Sequence, residues 1–194
     1  IDVAEAALQA GKLQNAIDLS HQAINHSPES TRAISLHAKA LTWSAQYNKA
    51  EKILASALEH VNETSRSTRL NLHHDLGQLL NYYYPKSEQV VARVIYHYQA
   101  YVDAIQSGRL IAWSAGAQVG VHNDLALLLQ SQGKQSAAGS HFQRAIELDG
   151  SDYKARTNYG LLLGKLQSAS PLFTSREEMV REGISHQREA ANIC

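Results

Sequence analysis

The sequence predicts an all-α array of antiparallel helix pairs, and three observations carry that prediction. Small residues and turn residues recur at a fixed interval: Ala16, Ala23 and Pro28 return at i+34 as Ala50, Ala57 and Asn62. The same step leads from Asp124-Leu125-Ala126 to Asn158-Tyr159-Gly160, with Ala138, Ala145 and Gly150 in the alanine, alanine and turn places. Self-similarity of this period marks stacked helical repeats. Composition agrees: the chain has three prolines and two phenylalanines, it is rich in Ala, Leu, Gln and Ser, and no stretch alternates apolar and polar residues as a strand would.

About five repeats fit into one domain spanning residues 1–194. The first, residues 1–29, has Gly11 between its helices and Pro28 after the second, where a residue without an N–H stops the helix. In the second, residues 30–64, Ile34, Ala38, Leu41, Tyr47, Ala50, Leu54 and Ala57 are expected inward. The third, residues 65–118, is irregular. Its first helix, over 68–83, carries Asp75-Leu76-Gly77, but Gly77 follows Ala38 at i+39 instead of i+34. After Tyr82-Tyr83-Tyr84-Pro85, a second helix over 87–106, capped by Ser87, bears a stripe of Val91, Val94, Ile95, Tyr98, Tyr101, Val102 and Ile105 at helical spacing.

The step from Gly77 to Ala126 is i+49, well beyond one period, so additional chain enters here. With Leu110-Ile111-Ala112-Trp113 it is read as an insertion elaborating this repeat, between about Tyr82 and Gly116. Three consecutive tyrosines cannot share one helix face, so at least one is expected to be exposed or in the loop. The fourth repeat, residues 119–152, is the most regular, with Gly133 between its helices. The fifth, residues 153–194, is stretched by a loop over 168–174, after which Ser175-Arg176-Glu177-Glu178 has the form of a capping box opening a last helix to about residue 193.

In the fourth unit, Leu125, Ala126, Ala138, Phe142, Ala145 and Gly150 match the spacing of a Leu-Gly pair, an alanine four before an aromatic, a second alanine and a closing turn residue. On these residues the chain resembles the tetratricopeptide repeat family, with His122 in the place of the family's tryptophan and Ala126 in that of its glycine. The resemblance implies a right-handed superhelix whose inner groove is lined by the first helix of each pair. Carried across position by position, it implies groove-facing Arg32, Ser35, Lys39, Asn71, His74, Gln78, Asn81, Asn123, Lys154, Thr157 and Lys165. This set is amide-rich and mildly basic, suited to a peptide main chain and to acidic side chains. The lysine-asparagine clamp of the family's chaperone-binding members is not matched, since Ile1 with Glu5 and Ser35 with Lys39 stand there.

Catalytic, cofactor and metal sites are not expected. His122-x-Asp124 falls inside the best-matched repeat helix, where His122 is read as packing, and the consecutive His73 and His74 point about 100° apart on a helix. HExxH, CxxC, GxSxG and glycine-rich phosphate loops are lacking. The formal net charge is +0, so no basic surface announces nucleic acid, and no apolar run approaches a membrane span. The lone Cys194 excludes an intrachain disulfide and fits a reducing, cytoplasmic setting. The triplets Asn25-His26-Ser27 and Asn62-Glu63-Thr64 would accept glycans in a secretory lumen. The chain opens on Ile1-Asp2-Val3 without a methionine and is read as a piece of a longer or processed protein.

The expected activity is therefore binding: a scaffold or adaptor holding a peptide or a partner's helix in its groove. The alternative is the substrate-recruiting arm of a larger enzyme, such as a glycosyltransferase or methyltransferase, with its catalytic domain elsewhere.

Overall fold

The computed structural model describes residues 1–61, 66–106 and 115–169. Among the described residues there are nine helices and no strand. They fall into two compact units, Ile1–Leu110 and Ile111–Cys194.

In the first unit, α1 (Asp2–Gln9) and α2 (Leu13–His26) form one pair, α3 (Thr31–Trp43) and α4 (Tyr47–His60) the next, and α5 (Arg66–Tyr83) and α6 (Glu88–Gln106) the third. Gly11 turns α1 into α2 at φ +71°, a left-handed conformation that costs glycine little. One period later, Ala45 occupies the corresponding turn of the second pair at φ 58°. Ser30 caps α3, its Oγ accepting from the Ala33 N–H at 3.4 Å. Ser87 caps α6 as expected, accepting from the Val90 N–H at 3.3 Å.

Small residues lie where helices touch, and this closes the core. Ala16 and Ala50 are completely buried. One apolar cluster joins Ala4, Leu8 and Ala16 of the first pair to Leu36 and Ala40 of α3. A second joins Ile34, Ala38, Leu41, Ala50 and Leu54 to Leu72, Leu76 and Leu79 of α5, with Tyr47 and Ala57 half-buried against it. The inward set expected of the second repeat is thus the one observed. Each fully buried leucine contributes about 2 kcal/mol of transfer free energy, so these seams bind successive pairs into one body.

The third pair departs from the expected insertion. The segment beyond Pro85 is the ordinary second helix, α6, packed on α5, and the extra length lies partly in longer helices: 18 and 19 residues in α5 and α6, against 13 and 14 in α3 and α4. Its stripe is buried at Val94, Tyr98, Tyr101 and Val102 and half-buried at Val91, Ile95 and Ile105. Tyr82 and Tyr83 are exposed, while the half-buried Tyr84 donates its hydroxyl to Asn48 Oδ1 at 3.0 Å. Asn62 with its glycosylation triplet, and Leu110 to Trp113, lie outside the described residues.

The second unit contains α7 (Ala115–Ser131), α8 (Gln135–Leu148) and α9 (Tyr153–Ala169). Helix α7 begins ahead of the boundary expected at residue 119. Gly133 makes the α7–α8 turn at φ +76°. Ala126, Ala138, Phe142 and Ala145 are all completely buried, so the residues that carry the repeat signature are those in the seam. Asp152 Oδ1 accepts from the Ala155 N–H at 2.7 Å and starts α9. That helix runs through Ala169, so its last residues replace the start of the loop expected over 168–174. The capping box at Ser175 and the helix expected after it lie outside the described residues.

Candidate functional site

In the first unit, α3 and α5 stand side by side and leave a pocket of about 250 Å³ between them. Helical periodicity selects its walls, since residues three and four apart share a face. Ser35, Lys39, Thr42 and Trp43 come from α3, and Asp75, Gln78, Leu79 and Tyr83 from α5. Buried Ala38, Leu54 and Leu79 supply apolar lining. Trp43 and Tyr83 are large aromatic residues left substantially exposed, at 54% and 43%. The Tyr83 ring stacks on Tyr47, with centroids 5.1 Å apart, which fixes its plane. Thr42 turns its hydroxyl back to the Ala38 carbonyl at 2.7 Å.

The pocket thus has apolar and aromatic surface, one cation, one carboxylate and a primary amide. Asp75 Oδ1 lies 3.3 Å from His74 Nδ1, and Lys39 is exposed at the other wall. Such a mixture can seat an apolar side chain while hydrogen-bonding the main chain that carries it.

Three of the groove residues expected from sequence, Ser35, Lys39 and Gln78, meet in this pocket. Arg32 does not line it: one of its guanidinium nitrogens reaches Asp2 and Glu5 of α1, both at 2.9 Å. Those carboxylates, the hydrogen bond to Glu5 first, hold its pKa above the ordinary arginine value. Asn71, His74 and Asn81 are half-buried along α5, and Lys86 reaches both the carbonyl and the side chain of Asn81. In the second unit, Asn123 is buried and accepts from Asn158 Nδ2 at 2.9 Å, so its amide bridges α7 and α9. Lys154 and Lys165 are exposed on α9, and Thr157 is half-buried.

Trp43, Asp75 and Tyr83 were not among the residues expected at the site. A usable signal exists for Trp43: it follows Lys39 by four positions and shares its face, so a tryptophan stands where a solvated helix would carry a polar residue.

His122 is buried and its Nδ1 meets that of His141 on α8 at 2.9 Å, a packing place with a specific polar partner. Among the described residues, no group of three or more His, Cys, Asp or Glu side chains could hold a metal ion, and no helix is long and apolar enough to cross a membrane.

Residues 7–70 match the family model described as Tetratricopeptide repeat. No curated protein matches the chain by sequence. Solved structures share its fold. A crystal structure of MamA aligns with a TM-score of 0.68 at 13% identity, covering 100% of this chain and 95% of that one. MamA from Desulfovibrio magneticus RS-1, residue 41 to the end, gives 0.67 at 15% identity, over 99% and 91%. YrrB, described as a TPR protein with an unusual peptide-binding site, gives 0.64 at 16% identity, over 99% and 88%. Residues 7–70 thus match the tetratricopeptide repeat, and the chain shares the helix-pair fold of these solved structures.

Proposed function

We propose that this protein is a non-catalytic interaction scaffold that holds a peptide segment of a protein partner along α3 and α5, with one apolar side chain of that segment seated between Trp43 and Tyr83. The observation that carries this reading is the convergence of Ser35, Lys39 and Gln78 with two exposed aromatic rings around one pocket. Exposed aromatics over an apolar floor are the usual anchors of binding energy, and Gln78 offers both a donor and an acceptor to a peptide main chain. The similar fold of YrrB, a protein with a peptide-binding site, supports the same reading. Lys154, Thr157 and Lys165 of α9 extend the proposal to the second unit as further partner contacts.

Selection of displayed peptides on the purified chain, followed by affinity measurement with Trp43→Ala and Gln78→Ala, tests it. Selected peptides should share an apolar anchor and lose tenfold or more in affinity with Trp43→Ala. Unaltered affinity in both variants would place binding elsewhere on the chain.

A further inference from the structure

Two histidine pairs, one buried and one with His122 buried against half-buried His141, occupy the same place in two different helix pairs. On α5, His73 stands four positions before Gly77; on α7, His122 stands four positions before Ala126. Their partners on the second helices each precede a completely buried aromatic ring: His97 before Tyr98 on α6, and His141 before Phe142 on α8. The Nδ1 atoms are 3.0 Å apart in the first pair and 2.9 Å in the second, and both pairs have ring centroids 5.2 Å apart. The same arrangement thus occurs once in each of the two units.

The contact constrains protonation. Two imidazole nitrogens approach to about 3 Å only when one donates its proton and the other offers a lone pair. The contact survives one added proton, on the far nitrogen of the donor ring. It cannot survive two, because both Nδ1 atoms would then be N–H donors and two cations would face each other in a low dielectric.

Neighbouring carboxylates, Glu51 and Glu147, offset that state only in part. Around the first pair stand Arg69 of α5, Arg93 and Tyr96 of α6, and Glu51 of α4, whose carboxylate is already held by Arg93; His74, next along α5, is turned to Asp75. Around the second stand Arg144 and Glu147 of α8, which pair with each other at 2.9 Å. Burial, reinforced by these like charges, lowers His73, His97 and His122 to about 4.

We propose that each histidine pair is an acid-released latch, holding its helix pair closed while at least one ring is neutral and letting it open when both rings are cationic. Unfolded or opened histidines titrate near about 6.5, so the opened state binds more protons from about pH 6.5 down to about 4. Closure is therefore fully supported above that window and is lost as pH falls through it.

Amide hydrogen exchange on the whole chain between pH 7.5 and 4.5, corrected for intrinsic rates, tests this. Each proton taken up on opening multiplies the opening equilibrium by about ten per pH unit, so α5 to α8 should open about tenfold to a hundredfold more per unit below about pH 6. His73→Gln with His97→Gln should flatten this response at α5 and α6 alone; His122→Gln with His141→Gln should do so at α7 and α8 alone. The same acid response in a glutamine-paired seam as in the parent would overturn the proposal. If a paired variant fails to fold, imidazole titration in the parent decides. Ring titration coinciding with seam opening supports the latch, and rings titrating near 6.5 without increased exchange refute it.

Discussion

A β-carbon at residue 77 would stand 2.5 Å from the Tyr98 ring, so the Tyr98 ring of α6 occupies the space that only a glycine on α5 leaves open. The ring is completely buried. Alanine is preferred to glycine inside a helix by about 1 kcal/mol, whereas forcing extra atoms into a packed seam costs about 1–3 kcal/mol. Gly77→Ala should therefore lower stability in denaturant unfolding, against its helix propensity. Combining it with Tyr98→Leu should recover much of that loss in a double-mutant cycle, which separates the clash from any other effect of the substitution.

The same geometry makes a prediction for the alanine seams. Ala138 is completely buried on α8, and Ala138→Leu should cost about 1–3 kcal/mol through overpacking. An unchanged unfolding midpoint would mean that α7 and α8 do not meet at this residue in solution.

The turn at Ala45 predicts a gain. Gly11 and Gly133 take the left-handed conformation in their turns, but Ala45 takes it at φ 58° with a side chain that disfavours it. Ala45→Gly should raise stability by about 1 kcal/mol, since an alanine forced to positive φ costs more than the chain entropy a glycine adds. Thermal unfolding of the single variant checks this, and a lower midpoint would contradict the strained turn.

The helix pairs could be read from sequence because their signals are local. A glycine or proline at the turn and a small residue at the seam recur within one repeat, and Ala16, Ala50, Ala138 and Ala145 are completely buried as that logic requires. The third pair breaks the 34-residue count in part because α5 and α6 are longer than α3 and α4, which shifts the register while the helices still pack as a pair. The pocket was only half legible. Ser35, Lys39 and Gln78 follow from the family resemblance, and Trp43 shares the helix face of Lys39, but Tyr83 and Asp75 join them only because α3 and α5 pack at a particular offset, which no single-helix pattern encodes. The histidine pairs were invisible for a related reason. His73 and His97 lie 24 residues apart, and His122 and His141 lie 19 apart, so no one spacing marks both.

Arg32 and Lys39, two cations on α3, should behave differently when removed. Arg32 is engaged with Asp2 and Glu5 and lies outside the pocket, while Lys39 is in its wall. Arg32→Ala should loosen the contact between α1 and α3 and leave partner affinity unchanged. Lys39→Ala should weaken binding of an acidic peptide and flatten its dependence on salt, because one screened charge contact is lost. Titrating a selected peptide into both variants at low and high ionic strength distinguishes the two roles. If Arg32→Ala produced the loss of affinity and of salt dependence while Lys39→Ala did not, the partner would engage the α1 end of α3, and the pocket between α3 and α5 would not be its anchor.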